Sequence, residues 1–332
     1  MQTFMFLLSG FVLMVVSFIP HVIAHEAGHL VGGLLSGYRF ISFRIMNVML
    51  IKIDGRMQLR NYSLAGTGGQ CLMSPPEMKE GKIPVFLYNL GGSLMNFIFS
   101  GILVFVAVLV RDNAIASYIL ITLSLLGFAS ALTNGIPMNS GLVTNDGYNA
   151  LKLSDNKAAL RGFWIQMKIN EMLVYGKAVG DMPQEWFEIP TDEEMKNAMI
   201  APLGVFGCAY LMEKGEYEKA ESTMEHLLSI ESGIVGVHRS LMLCDRIYLR
   251  LIVGDDETAA QLYDEELKKF IQSMKSFPQV IRTEYVIALL LEKDGRKAEE
   301  CIKRMEKVEK TYPYPLDVQL ERSYMDKAKA LR

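Results

Sequence analysis

A long apolar run opens the chain, Phe4 to Pro20 and then Leu30 to Leu35, and between its halves stands His25-Glu26-Ala27-Gly28-His29. An apolar stretch of ~20 residues or more is long enough to cross a bilayer. In lipid it must be helical, because the solvent offers its backbone no hydrogen-bond partner. Placing two imidazoles and a carboxylate at that depth is costly, about 2.5 to 3.5 kcal/mol for the carboxylate alone, so a cluster kept there marks a functional site. The run has no basic start and no small-x-small cleavage site before the motif, and it stays apolar past it. It therefore reads as a retained first span rather than a secretory signal.

Two further stretches share this character, at about 83–110 and 114–136, with Arg111-Asp112-Asn113 as the only polar break between them. They predict a tight helical hairpin, which with the first span, about 4–35, makes a three-helix membrane core. Pro20 predicts a kink just before His25, and Gly32-Gly33 and Gly91-Gly92 predict close helix packing through small residues. Residues 38–60 have another texture. Phe40, Ser42 and Arg44 alternate with Ile41, Phe43 and Ile45, and Asp54-Gly55 supplies a turn before Met57 and Leu59. That is the pattern of a β-hairpin or small sheet, here at the membrane interface. Gly66-Thr67-Gly68-Gly69 and Pro75-Pro76 read as breaks before the second span.

Seven basic residues (Arg39, Arg44, Lys52, Arg56, Arg60, Lys79 and Lys82) lie in the loop between the first two spans, and only Arg111 lies at the hairpin tip. The positive-inside rule then predicts a multi-pass cell-membrane protein with that loop and everything after the third span in the cytoplasm, and with His25 and His29 toward the cytoplasmic face.

The remainder of the 332-residue chain is more charged. The expected fold is mainly α: a polytopic membrane core with a small interfacial sheet at 1–150, a juxtamembrane helix and linker at 151–192, and a cytoplasmic α-helical repeat domain at 193–332. Gly215, Gly254 and Gly295 recur about every 40 residues, and Ala220, Ala259-Ala260 and Ala298 follow them. The spacing is a little longer than the 34 of a tetratricopeptide repeat and predicts helical hairpins stacked as a short solenoid. A net charge of -3 and the lack of a Lys/Arg-rich run give no basis for nucleic acid as a partner. Cys71, Cys208, Cys244 and Cys301 form no CxxC pair, which suits reduced thiols and neither a disulfide framework nor zinc ligation.

His25 and His29 are four apart, so on a helix both imidazoles reach one ion, and one Zn2+ per chain is expected. Zinc lowers the pKa of water from ~15.7 to roughly 7, and Glu26, next to the first histidine, is placed to take the proton. Such a site needs a third protein ligand. Asp146, in Asn145-Asp146-Gly147 after the helix break at Asn134-Gly135-Ile136-Pro137, is the leading candidate; its competing reading is a helix N-cap or Asx-turn. Asp54 is the rival ligand, though its Asp-Gly setting suits a hairpin turn. Asp112 falls at the opposite membrane face, and His21 falls one turn away from the metal.

The pentapeptide, together with Asn134-Gly135-Ile136-Pro137 and Asp146-Gly147, resembles the site-2 protease family of intramembrane zinc metalloproteases over roughly residues 4 to 150. The resemblance implies His25, His29 and Asp146 as zinc ligands and Glu26 as catalytic base. It also implies cleavage in or near a transmembrane segment of a client protein or of a membrane-bound peptide precursor. Asn96, after Gly91-Gly92, matches the family's Gly-x-x-x-Asn segment. By resemblance its amide assists the oxyanion, and the alternative is an interhelical hydrogen bond. The segment from Met138 to Asn145 departs from the family's proline-rich approach to Leu-Asp-Gly. No regulatory domain of the kinds other members carry is visible, and the helical repeats, with a docking partner of their own, take that place. A different class of function competes: a catalytically silent, membrane-anchored helical-repeat scaffold, which explains Glu26 beside two correctly spaced histidines badly.

Overall fold

The computed structural model describes residues 2–53, 55–62, 67–139 and 144–331. Asp54, the rival ligand, lies outside the described residues, as do residues 140–143 of the segment leading to Asp146. The chain is mainly helical with a small antiparallel sheet, and it divides into two compact units: Met1–Lys52 with Gly66–Met167, and Ile53–Ala65 with Lys168–Arg332.

Three helices of the first unit, α1 (Gln2–Leu35), α2 (Phe86–Leu109) and α3 (Ala114–Gly135), are long and apolar enough to cross a membrane, α1 from Gly10 onward. The α1 helix runs unbroken through Pro20. The second helix starts three residues later than the sequence pattern suggests, at Phe86, because Pro84 disfavours helical geometry in the residue before it. Asn113 opens α3 by accepting the Ala116 N–H at 3.0 Å. Burial along α2 runs opposite to that of a water-soluble helix. Gly91, Gly92, Ser93, Asn96 and Ser100 are buried, whereas Phe97, Ile98, Phe105 and Leu109 face outward. Small residues at the contact are what permit close approach. A Cβ on Gly28 would lie 2.1 Å from the Gly91 carbonyl oxygen, and one on Gly32 would lie 2.0 Å from that of Leu87.

Four strands form, β1 (Arg39–Ile45), β2 (Val48–Ile53), β3 (Arg56–Asn61) and β4 (Gly69–Ser74). In the first unit β1 pairs antiparallel with β2, Phe43 opposite Leu50, and with β4, Phe43 opposite Cys71. The hairpin texture of residues 38–60 is thus realised in strands. Of the break read at Gly66-Thr67-Gly68-Gly69, Gly66 lies outside the described residues, Thr67 and Gly68 are irregular as expected, and Gly69 already begins a strand, one without alternation and specified by β1 beside it. Then come α4 (Asp146–Lys152) and α5 (Lys157–Val174), whose Phe163 and Met167 join Tyr38, Met73 and Tyr88 in a core beneath the sheet.

In the second unit follow α6 (Ala201–Lys214), α7 (Tyr217–Ser229), α8 (Gly236–Ile252), α9 (Asp256–Leu262), α10 (Glu265–Ser273), α11 (Pro278–Val286, extended by a wide turn to Leu291), α12 (Gly295–Glu309) and α13 (Pro315–Lys329). The α6 helix packs on α7, α8 on α9 and α11 on α12, while α11 also packs on α8 and α13. Ala220, Ala259 and Ala298 are buried on the second helix of each pair. Gly215 and Gly254 take the left-handed conformation, φ 76° and 80°, that ends a helix cheaply only for glycine. The third glycine works differently: Gly295 opens α12, Asp294 caps it, and the left-handed residue is Lys293. At the centre Arg282, fully buried, donates to Glu321 at 2.8 Å, to the Cys244 carbonyl at 3.0 Å and to Asp245, under the ring of Tyr248. All four cysteines are buried and free.

Candidate metal centre

Helix α1 presents His25, Glu26 and His29, and α4 brings Asp146 to them. His25 Nε2 lies 3.0 Å from Asp146 Oδ2, His29 Nε2 lies 3.5 Å from the same oxygen, and the two Nε2 atoms are 3.1 Å apart. Among the described residues this is the group of three whose ligand atoms converge as a metal site requires. His29 Nδ1 donates to the Tyr88 carbonyl at 2.7 Å, which leaves a lone pair on its Nε2. Lone-pair atoms so close repel one another unless a cation or proton sits among them. Tetrahedral ligands at about 2.0–2.1 Å from zinc stand roughly 3.3 Å apart, the spacing seen here, and two imidazoles with a carboxylate are a zinc donor set. His25 Nδ1 is buried without a hydrogen-bond partner.

The surroundings explain why these side chains meet. Gly92 leaves room for the His25 ring, since a Cβ there would lie 2.6 Å from its Cε1. Asn145 takes the capping role that competed for Asp146. Its Oδ1 accepts the N–H groups of Tyr148 (3.0 Å) and Met138 (2.9 Å), and its Nδ2 donates to the carbonyls of Thr133 (2.8 Å) and Ile136 (2.6 Å). Asp146, the first residue of α4, is thereby free to face the histidines. Gly147 lets α4 start against the end of α3, where a Cβ would meet the Gly135 carbonyl oxygen at 2.1 Å. Burial acts to raise the Asp146 carboxyl, but the adjoining His25 and His29 imidazoles outweigh it and hold the group well below the usual carboxylate range.

Glu26 is buried beside the first residues of β4. Its carboxylate accepts the Cys71 N–H, and a Cβ on Gly69 would lie 2.7 Å from its Oε1. The Tyr88 hydroxyl donates to the Cys71 carbonyl at 3.1 Å. Burial, with the Glu26 charge next, pushes the Cys71 thiol up to about 12, so it stays protonated. A cavity of 380 Å³ opens against His25 and Glu26, walled by Ser17, His21, Gly69 and Ser130 among others.

The other sequence candidates sit nearby in different roles. Asn96 is fully buried and its Nδ2 donates to Ser130 Oγ at 3.1 Å, the interhelical bond. His21 turns from the metal group to α3, bonding the Leu123 carbonyl at 2.9 Å. Asn145, Tyr88, Gly92 and Cys71 were not found from sequence. Asn145 alone left a signal, a capping residue type directly before a helix-opening Asp. Compared with protein-family models, curated proteins and solved structures, the chain matches none.

Proposed function

We propose that this chain is an intramembrane zinc metalloendopeptidase that hydrolyses a peptide bond in or near a transmembrane segment of a client protein or membrane-bound peptide precursor. The observation that carries the reading is the convergence of His25, His29 and Asp146, with Glu26 one residue from the first histidine, on a helix apolar enough to span a bilayer. His25 and His29 through Nε2, and Asp146 through a carboxylate oxygen, are the groups that would hold Zn2+. The ion, when bound, supplies a Lewis acid that polarises the scissile carbonyl and acidifies a water molecule.

The chain's own residues do the rest. Glu26 accepts the proton of the attacking water and returns it to the leaving amine, general acid–base work worth ~10²–10⁴ in rate. Tyr88 and Asn145 keep His29 and Asp146 oriented. With one N–H of the Asn96 amide held by Ser130, the second is the donor that would assist an oxyanion. A helical substrate must unwind before its peptide bond is accessible. The β4 strand is an edge strand, paired on one side with β1, so its other side is the place where an unwound segment would add as a strand.

The inverted burial of α2 fits lipid as solvent, and the basic loop favours a cytoplasmic active site and helical unit. That unit reads as a short solenoid of stacked helix pairs, suited to docking a client tail or partner. The test is a comparison of membrane-derived peptides in cells carrying the wild-type chain or Glu26→Gln. A product peptide should vanish, and its uncut precursor accumulate, in the variant. Identical peptide populations would refute the protease reading.

A further inference from the structure

Tyr88, the third residue of α2, touches both halves of the candidate site. Its backbone carbonyl accepts the His29 Nδ1 proton at 2.7 Å, and its hydroxyl donates to the Cys71 carbonyl at 3.1 Å. A carbonyl oxygen has two lone pairs, so serving His29 costs the helix nothing. Cys71 carries the connection onward, because its own N–H goes to the Glu26 carboxylate. The hydroxyl is aimed by a packed ring. Tyr38 stacks on it with centroids 4.8 Å apart and planes at 10°, while the His29 imidazole lies at 5.8 Å and Phe163 at 6.4 Å. Helix α1 closes in at Gly33, where a Cβ would come within 3.1 Å of Tyr88 Cδ2. One rigid side chain thus joins the zinc-ligand candidate His29, at its backbone, to the base candidate Glu26, through its tip and the Cys71 peptide.

We propose that Tyr88 is a positioning residue for Glu26: its hydroxyl holds the Cys71 peptide, whose N–H keeps the carboxylate in place for the attacking water. The effect on turnover rests on the metalloendopeptidase reading; the brace itself does not. Tyr88→Phe removes the hydroxyl and keeps the ring and the carbonyl that serves His29. In purified full-length protein in detergent micelles, hydrogen exchange at the Cys71 amide should run about 2- to 10-fold faster in this variant, the span one lost hydrogen bond sets. Tyr38→Phe is the matched control, since the Tyr38 hydroxyl is buried without a hydrogen-bond partner among the described residues, and its Cys71 exchange should equal that of wild type. With one zinc per chain retained, Tyr88→Phe should cleave a synthetic transmembrane peptide with kcat lowered about 10-fold and KM unchanged. In a Glu26→Gln background the same substitution should cost nothing further, whereas a merely structural role would lower both backgrounds alike. Unchanged Cys71 exchange, or an equal loss of kcat with and without Glu26, would overturn the proposal. Accelerated exchange in Tyr88→Phe, with the peptide left whole by wild type, would support the brace and refute the protease reading.

Discussion

Asn145 shows how a single side chain decides what its neighbour can do. A helix start leaves N–H groups unsatisfied, and either Asn145 or Asp146 has the chemistry to cap them. Asn145 does so, with four hydrogen bonds, and Asp146 is left to the histidines. Asn145→Ala should therefore cost about 1–2 kcal/mol of stability and weaken zinc binding on the order of 10-fold, as losses behind a metal ligand do. Competition with a chromophoric chelator would measure it, and unchanged affinity would separate Asn145 from the site. At this scale the sequence was most legible in His25, Glu26 and His29, whose helical spacing alone fixes their geometry. Asp146 was legible as the leading third ligand, but what frees it from capping was not, because the Asn145 side chain is held by carbonyls at the end of α3 that no local pattern reveals. Asn96 carried two readings, and its two amide N–H groups allow both, one of them bonding Ser130.

Between elements, the α1–α2 crossing positions the site, and it rests on bare backbone at Gly28, Gly32 and Gly91. Gly28→Ala would drive a methyl into the Gly91 carbonyl, which cannot retreat as a flexible side chain can. The helices must part, at a cost of about 1–3 kcal/mol or more, and with them His25 and the pocket that Gly92 leaves for it. Gly10→Ala on the same helix meets nothing within 4 Å and is the matched control. Zinc content and thermal stability in detergent should fall for the first and hold for the second. The three long apolar helices were legible because twenty apolar residues in a row have few other uses. Strand β4 was not. Gly69-Gln70-Cys71-Leu72-Met73-Ser74 has neither alternation nor β-branched residues, and only its pairing with β1 makes it a strand.

In the molecule as a whole, the two units carry different electrostatics, and the helical unit holds acids in unusual states. Burial, then Glu321 and Glu213, push the Asp317 carboxyl up to about 7. An unfolded Asp titrates near ~3.9, so between roughly pH 4 and 7 the folded chain keeps a proton that the unfolded chain has lost. Its contribution is complete below about pH 4 and disappears as pH rises through 7. Asp317→Asn, which cannot ionise, should melt higher than wild type at pH 8 and by a smaller margin at pH 5; equal melting at both would contradict the burial. Helix pairs at Gly215 and Gly254 were readable from a recurring turn. The meeting of Tyr62 with Tyr312 was not, since the two lie most of the chain apart and no periodicity links them.

The central claim is that Glu26 acts on a zinc ion held by His25, His29 and Asp146. Its most direct test is cleavage of a synthetic transmembrane peptide library by purified, zinc-loaded wild type and Glu26→Gln protein, each first shown to hold one zinc per chain. Cleavage by the wild type, reduced by two orders of magnitude or more (~10²–10⁴) in the variant, is the predicted result. Equal cleavage by the two proteins would contradict it.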